Sequence, residues 1–395
     1  MNLLRFKEFS KVYLYFILLV VTFFCLSTSV ELLNNKFWTN DFRVYYDATK
    51  DFFNGNNPYI KNYGLDTGFF KYPPFTLYLF KFFTFFEYRV AQFIHLTFLG
   101  CLLIYSIIAL KNLSENILQF KVKNSNNWLL FTSFFIIILH LSRELHMGNI
   151  NLYLLGFFVV GLKSIHSEKP WVTAIFWSLM LILKPIMILS VIPLVFYRKW
   201  KIILIMSGFG LVFFLLPICN LGWSGNWILW GNWVKSVSNH GNYLISENSI
   251  TYLSSYYFGF ISEWIPSLLC LSVLLAVMIF RGVKMSKSTN QLMSWSVILT
   301  AFTPNFFVTD TEHFLLAIPL IIFLLSLLSN QKSISSWALF GVGILFFSLN
   351  SNDLLGKKLS DFVDTHGLLG IGNILFVLLF LQVLVKRNRQ ITLST

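Results

Sequence analysis

Long runs of apolar residues constrain this chain more than any other feature of its sequence. A helix needs about 17 to 25 apolar residues to cross the roughly 30 Å hydrocarbon layer of a bilayer. The run over residues 12–30 meets this requirement, and similar or shorter runs recur along the chain. Only 12% of the residues are charged, against about 25% in a soluble domain. The sequence therefore predicts an all-α polytopic membrane protein that forms a single integral membrane domain over residues 1–395.

We predict about twelve transmembrane helices, because shorter apolar runs can also span where neighbouring helices shield them from lipid. Two longer segments remain between the spans, 31–88 and 219–263, and we interpret them as outer loops. The predicted spans are 12–30, 89–110, 128–141, 151–163, 171–183, 186–197, 201–218, 264–280, 291–308, 313–329, 335–350 and 367–385.

The distribution of basic residues predicts the orientation. With a cytoplasmic N-terminus, the inner segments hold more than half of the 30 Lys and Arg residues but only Glu8, Glu115 and Glu168 of the 17 acidic ones. This is the positive-inside pattern. We therefore expect a protein of the cell (inner) membrane with both termini in the cytoplasm and its functional site on the outer, periplasmic face. The net charge of +13 then reflects topology and requires no nucleic-acid partner.

The first outer loop contains two aromatic segments. In "NDFRVYYDATKDFFNGNNPYI" (40–60) the rings recur every three or four residues before a turn sequence, which predicts an amphipathic helix in the membrane interface. In "FFKYPPFTLYLFKFF" (69–83) two prolines force an extended stretch before a second interfacial element. Asp41 is then placed at the start of the first helix, where the chain leaves the bilayer.

Three motifs of this loop are similar to those of a known family. "D-F-x-V-Y-Y-x-A" (41–48), "G-N-N-P-Y" (55–59) and "K-Y-P-P" (71–74) resemble the first outer loop of glycosyltransferase family 87. The resemblance implies a C-type glycosyltransferase fold and a polyprenyl-phosphate-linked sugar, typically mannose, as donor. The acceptor would be a glycolipid or a glycan.

The resemblance continues in order along the chain, to about residue 320. "M-G-N-I-N" (147–151) is similar to the family's G-Q-x-N motif, and "K-P" (184–185) to its intramembrane Lys-Pro. The segments "E-N-S-I" (247–250) and "T-P-N-F-F-V-T-D-T-E-H-F" (303–314) resemble its later outer motifs. Through these motifs and "K-Y-P-P", the resemblance implies a set of substrate-binding residues. They are Tyr72, Asn149, Asn151, Asn248 and His313.

Asp41 is the candidate catalytic residue. A glycosyl acceptor is an alcohol that must lose its proton as the new bond forms, so a carboxylate within hydrogen-bond reach can act as general base. The resemblance implies this role for Asp41, in an inverting reaction. The alternative is that Asp41 caps the interfacial helix. Both roles are compatible if Asp47 provides the cap.

Cations are needed at the leaving group, because a polyprenyl phosphate gains negative charge as the glycosidic bond breaks. The candidates are Lys184, Arg143 and Lys71. Lys184 lies within an apolar run, where a lysine at the centre of a lipid-facing helix costs about 2.5 to 3.5 kcal/mol. The alternative is that Lys184 extends along its helix so that its ammonium reaches the outer interface.

We expect neither a metal nor a cofactor. The outer segments contain no paired-histidine or paired-carboxylate spacing typical of a metal site, and the four cysteines show no paired spacing. His313 stands out among the outer histidines because Asp310 and Glu312 are close to it in sequence.

Two other functions use the same lipid-linked substrates. A transporter or flippase usually has two halves of matching hydropathy, and the halves of this chain do not match, because only the first contains "DFRVYYD" and "KYPP". A polymerase of lipid-linked saccharides would share the predicted features and stays open as an alternative.

Overall fold

The computed structural model of the chain describes residues 11–64, 68–117, 127–240, 247–260, 264–284, 288–307, 310–330, 333–349 and 351–394. Every regular element within these ranges is a helix. The α-helices are α1 (Lys11–Leu33), α2 (Asn40–Phe53), α3 (Phe75–Phe80), α4 (Tyr88–Ile117), α5 (Trp128–Ile136), α6 (Ile138–Met147), α7 (Asn151–His166), α8 (Pro170–Leu183), α9 (Ile188–Phe196), α10 (Trp200–Leu215), α11 (Ile218–His240), α12 (Ile250–Phe258), α13 (Ile265–Lys284), α14 (Thr289–Phe306), α15 (Ile318–Leu328), α16 (Ile334–Ser348), α17 (Asn352–Leu355), α18 (Lys357–Thr365) and α19 (Leu368–Ser394). Short 3₁₀ helices cover Lys81–Phe85, Pro185–Met187 and Thr311–Ala317.

Each predicted span coincides with one helix or with two consecutive helices, so the all-α polytopic prediction is confirmed. The count of twelve is not. Among the described residues, three helical segments are long and apolar enough to cross a membrane, or up to six if each bent pair forms one span. Several others are shorter, such as α7 with 16 residues and α8 with 14. At about 1.5 Å per residue these helices are shorter than the hydrocarbon layer.

The centre of the bundle is α15. Its sequence "IPLIIFLLSLL" has no polar face, and all of its residues are buried, as expected for a helix that is apolar all round. It packs against α4, α5, α14 and α19. Helix α1 is the opposite case, because most of its apolar side chains, such as Leu14 and Leu18, are exposed. A surface of this composition suits contact with lipid.

The amphipathic helix predicted in the first outer loop is α2. Its buried face includes Phe42, Tyr45 and Tyr46, and the Phe42 ring stacks on the ring of His95 with centroids 4.3 Å apart. Gly148, directly after α6, has a φ of +63°, and a Cβ there would lie 2.9 Å from Thr39 and Phe42. This glycine therefore lets the end of α6 approach the start of α2.

The segment 219–263, predicted as a loop, is largely helical, because it contains most of α11 and all of α12. The tryptophans of α11 differ in their exposure and contacts. Trp223 and Trp227 are exposed, whereas Nε1 of Trp233 donates to the Lys71 carbonyl at 2.9 Å and Oγ of Ser236 donates to the Phe70 carbonyl at 3.0 Å. Helix α11 thus holds the "K-Y-P-P" segment in place.

Candidate functional site

A break between α8 and α9 positions Lys184. Pro185 lacks an N–H and disfavours helical geometry at the preceding residue, and Lys184 has an extended backbone with φ −137° and ψ 102°. Its ammonium donates to Asn151 Oδ1 at 3.0 Å and lies 2.7 Å from Nε2 of His313. The side chain therefore enters a polar network between helices and does not extend to the outer interface.

Glu144 on α6 anchors this network. Its Oε2 accepts a hydrogen bond from Asn151 Nδ2 at 2.8 Å, and its Oε1 accepts one from the Leu152 N–H at 3.1 Å. The residue is fully buried. A buried carboxylate is costly unless its oxygens are hydrogen-bonded, and both oxygens of Glu144 have such a partner.

Asn149 joins a second buried carboxylate to the first outer loop. Its Nδ2 donates to Glu312 Oε1 at 3.3 Å, and its Oδ1 accepts from the hydroxyls of Tyr45 and Tyr72, each at 3.4 Å. The two hydroxyls are 2.9 Å apart. Glu312 Oε2 forms an ion pair with Arg143 Nε at 3.0 Å. The two asparagines of "M-G-N-I-N" therefore each bind a different buried glutamate.

Asp41 lies in the first turn of α2 and is partly buried. Burial, and then the nearby Glu312 carboxylate, raise the pKa of Asp41 from 3.8 to about 7, against the opposing effect of the Lys71 and Lys184 cations. Burial likewise lowers the pKa of Lys71, which Asp41 opposes. A carboxyl with a pKa near neutrality, close to cations, is typical of acid–base sites.

Neither aspartate forms the predicted helix cap. Thr39 occupies the N-cap position of α2, and no side chain caps the helix there. Asp47 instead pairs with Arg43, with Oδ2 3.5 Å from Nε, on the exposed side of the helix. The capping alternative for Asp41 thus has no supporting hydrogen bond.

Eight of the nine predicted site residues belong to one electrostatic or hydrogen-bonded set. They are Asp41, Lys71, Tyr72, Arg143, Asn149, Asn151, Lys184 and His313. Asn248 lies apart from them. Its Oδ1 accepts from the Gly370 N–H at 3.0 Å and its carbonyl accepts from Asn305 Nδ2 at 2.9 Å. These bonds tie the start of α12 to α14 and α19, which indicates a structural role.

The sequence interpretation missed Glu144, Glu312 and Tyr45 as members of this set. Tyr45 was visible only as an aromatic residue of the amphipathic pattern. Glu144 lies in "HLSRELHM", between the predicted spans 128–141 and 151–163, so from the sequence it resembles any other charged residue of an outer segment. The partners of Tyr45 and Glu312 are distant along the chain, so no local pattern could identify those contacts. Glu144 has its partners, Asn151 and Leu152, close in sequence, but the bend of the chain between α6 and α7 that brings them together is not visible in the pattern.

Asp310, Glu312 and His313 could in principle hold a metal ion, since one ligand atom from each lies within 4.8 Å of the others. However, Nδ1 of His313 is 3.2 Å from the Asp310 carbonyl, and its Nε2 faces the Lys184 ammonium. Both ring nitrogens are therefore engaged, and an ammonium beside them disfavours a second cation. The arrangement fits a hydrogen-bonded network better than a metal centre.

Two cavities lie elsewhere on the described part of the chain. One, of about 830 Å³, borders α2 and is lined by Asn40, Arg43 and Arg89, among others. The other, of about 810 Å³, is mainly apolar and lies among α12, α13, α14 and α19. Neither is lined by Asp41 or Lys184. The buried polar network, and not cavity size, identifies the candidate site.

A search of curated proteins finds no match. The model of glycosyltransferase family 87 matches residues 69–309, which is more than half of the 395 residues. The matched segment includes Glu144 and Lys184, begins after Asp41 and ends before His313. The chain is a multi-pass membrane protein and belongs to glycosyltransferase family 87.

Proposed function

We propose that this protein transfers a sugar, most simply mannose, from a polyprenyl-phosphate donor to a glycolipid or glycan acceptor, with inversion at the anomeric carbon. The observation that carries the proposal is the position of Asp41 in the first turn of the amphipathic helix α2, near the cations Lys71 and Lys184, in a member of glycosyltransferase family 87. The site then has an anionic base for the acceptor and cations for the leaving phosphate.

Asp41 acts as the general base. The acceptor oxygen forms a bond to the anomeric carbon while the bond from that carbon to the phosphate oxygen breaks, and the hydroxyl proton passes to the carboxylate. A base is most effective when its pKa lies near the working pH. The pKa of about 7 at Asp41 meets this condition, whereas an ordinary aspartate with a pKa near 3.8 would be a weaker base.

Lys184 and Lys71 stabilise the leaving group. The donor is a phosphodiester with one negative charge, and the released polyprenyl phosphate has up to two. Lys184 uses two of its three N–H donors on Asn151 and His313, which leaves one to direct at a phosphate oxygen. Cations held in a poorly hydrated site stabilise developing charge strongly.

Arg143, Tyr72 and Asn149 bind and orient the donor. Arg143 is about half exposed although it pairs with the buried Glu312, so its guanidinium can still meet a substrate at the edge of the network. The Tyr72 hydroxyl and the Asn149 amide bond each other at 3.4 Å. These groups are suited to the hydroxyls of a sugar.

The reaction is placed on the outer, periplasmic face of the cell membrane. The support is the excess of Lys and Arg in the segments assigned to the cytoplasm, together with the amphipathic character of α2. An interfacial helix holds Asp41 where a lipid-anchored donor and a polar acceptor can meet.

The decisive experiment is transfer by the purified protein. The protein in nanodiscs would be incubated with radiolabelled polyprenyl-phosphate-mannose and a membrane extract, and the labelled product identified. We expect the label to move to a glycolipid or glycan in a reaction that depends on Asp41. Label that stays on the donor, or crosses the bilayer unchanged in proteoliposomes, would favour a flippase. Transfer of whole oligosaccharides but not of single sugars would favour a polymerase.

A further inference from the structure

We propose that Glu144 is a positioning residue that aims the Lys184 ammonium through the side-chain amide of Asn151. This inference rests on the proposed function, in which Lys184 contacts the donor phosphate. No motif of the sequence pointed to Glu144.

The place of Glu144 in the fold explains why a carboxylate is tolerated there. Leu152 is the second residue of α7, so its N–H has no partner within that helix. The Glu144 carboxylate, projecting from α6, accepts that N–H at 3.1 Å. The positive end of the helix dipole also favours a negative charge at this point. Helix α7 thus receives its cap from the preceding helix, since no side chain at its own N-cap provides one.

The hydrogen-bond partners at the two ends fix the orientation of the Asn151 amide. Both oxygens of the Glu144 carboxyl accept hydrogen bonds, from Asn151 and from the Leu152 N–H, and the Lys184 ammonium only donates them. Asn151 must therefore turn its NH₂ towards Glu144, at 2.8 Å, and its oxygen towards Lys184, at 3.0 Å. In the reverse orientation the Asn151 oxygen would face the Glu144 oxygen, and the Asn151 NH₂ would face the Lys184 ammonium, so neither pair could form a hydrogen bond.

The same rule fixes His313 on the other side of the ammonium. Because Lys184 donates, Nε2 of His313 must accept, so the ring hydrogen lies on Nδ1, which is 3.2 Å from the Asp310 carbonyl. Asn151 and His313 then hold two N–H bonds of Lys184 in fixed directions. The direction of the third N–H follows from these two.

Replacement of Glu144 by glutamine tests this chain of bonds. Glutamine has one acceptor oxygen, which the Leu152 N–H requires, so its NH₂ would face Asn151. The Asn151 amide would then flip and present its own NH₂ to the Lys184 ammonium. Hydrogen bonds to charged groups contribute about 1.5 to 3 kcal/mol, so we expect Glu144→Gln to lower kcat/KM for the donor by roughly 10- to 100-fold.

A double-mutant cycle separates positioning from a merely structural effect. We would measure kcat/KM for polyprenyl-phosphate-mannose in Glu144→Gln, Lys184→Met and the double variant. If Glu144 acts through Lys184, the double variant should be no worse than Lys184→Met alone. Losses that multiply would overturn the proposal, because they would show that Glu144 acts independently of Lys184.

Glu115→Gln is the matched control. Glu115 is also paired with a lysine on an apolar helix, with Oε1 3.4 Å from Lys111 Nζ. We expect this variant to keep donor kcat/KM close to the parental value, and its effect on Lys184→Met to be additive. If Glu115→Gln lowers kcat/KM as Glu144→Gln does, and this loss also disappears in the Lys184→Met background, the role of Glu144 is not specific and the proposal is overturned.

If Glu144→Gln does not fold, Asn151→Leu takes its place, because it breaks the link to Lys184 but leaves the bond from Glu144 to Leu152. Asn151→Leu should show the same loss in kcat/KM, again without further loss in combination with Lys184→Met, and independent losses would overturn the proposal.

Failure of the proposed function can be distinguished from failure of the role of Glu144. If Lys184→Met itself transfers sugar at the parental rate, Lys184 has no role at the phosphate. If Lys184→Met is impaired while Glu144→Gln and Asn151→Leu are normal, only the role of Glu144 fails.

Discussion

The Lys184 ammonium and Nε2 of His313 lie 2.7 Å apart, although 129 residues separate them along the chain. Because lysine can only donate, the histidine is held in the form that accepts at Nε2. This contact joins Lys184, at the break between α8 and α9, to the 3₁₀ helix Thr311–Ala317 that follows α14. The partly buried charge is held by hydrogen bonds from two directions, which fits a cation kept for a substrate anion.

Lys184→Met should weaken donor binding by roughly 10- to 100-fold, because a hydrogen bond to a charged group is lost at the phosphate. Equilibrium binding of labelled polyprenyl-phosphate-mannose to the purified protein measures this directly. Lys163→Met is the control, since Lys163 lies on α7 but is exposed and outside the polar network. Unchanged donor affinity in Lys184→Met would remove Lys184 from the donor site.

The rate of transfer should depend on pH in a predictable way. Asp41 must be ionised to accept a proton, and its pKa is about 7, so kcat/KM should rise through about pH 7 and then level off. A fall at higher pH is expected where Lys71, whose pKa is lowered by burial, loses its proton. Lys71→Arg should reduce that fall, because arginine stays charged at this position. A rate that declines from pH 6 to pH 8 would contradict ionised Asp41 as the base.

The helices could be predicted from the sequence because the length of each apolar run, or the spacing of its apolar residues, is a local property of the sequence. The number of spans could not, because it depends on tertiary bends. Helices α5 and α6, for example, are bent by 60° relative to each other, and no residue in this stretch marks the angle. Whether two such helices form one span or a re-entrant hairpin is decided by packing.

In the candidate site, too, local features could be predicted from the sequence and tertiary contacts could not. Lys184 could be found from the sequence because a charge in an apolar run has a known cost. The partners of Asn149 could not, because Glu312 is 163 residues away along the chain. Asn248 was assigned to the substrate from its motif, yet its side-chain oxygen is engaged by the backbone of α19. A motif identifies a constrained position but does not say whether the constraint is catalytic or structural.

Chelation should leave transfer intact. Both ring nitrogens of His313 have partners, and one of these partners is an ammonium, so the Asp310, Glu312 and His313 group has no ring nitrogen left for an ion. The initial rate after EDTA treatment and gel filtration, with and without added Mg²⁺, Mn²⁺ or Ca²⁺, tests this. Loss of activity that one of these ions restores would show that the cluster, or another site, holds a required metal.

The orientation of the chain can be tested by labelling single cysteines introduced into a cysteine-free background. A cysteine at Lys61, whose side chain is largely exposed, should react with a membrane-impermeant maleimide added from the periplasmic side. A cysteine at Lys169, in the exposed turn before α8, should react only after the membrane is opened. The opposite pattern would place Asp41 on the cytoplasmic face and overturn the proposed site of reaction.

Asp41→Asn should stop transfer without unfolding the protein. Loss of a general base typically lowers the rate by 10²- to 10⁴-fold, and kcat of the purified variant measures it. The folded state raises the pKa of Asp41, so ionised Asp41 destabilises the fold, and this cost grows as pH rises from about 4 to about 7. Asparagine carries no charge, and we therefore expect a melting temperature at pH 8 equal to or above that of the parent.

The control for this variant is Asp47→Asn, which removes a carboxylate from the same helix but only breaks an exposed pair with Arg43. Exposed ion pairs contribute about 0 to 1 kcal/mol, so activity and melting temperature should stay near the parental values. If Asp41→Asn transfers sugar normally while Asp47→Asn does not, the base is on the other face of α2. If both variants are active, α2 is structural and the base must be sought among the buried carboxylates. A lower melting temperature in Asp41→Asn would mean that the carboxylate stabilises the fold, which would contradict its raised pKa.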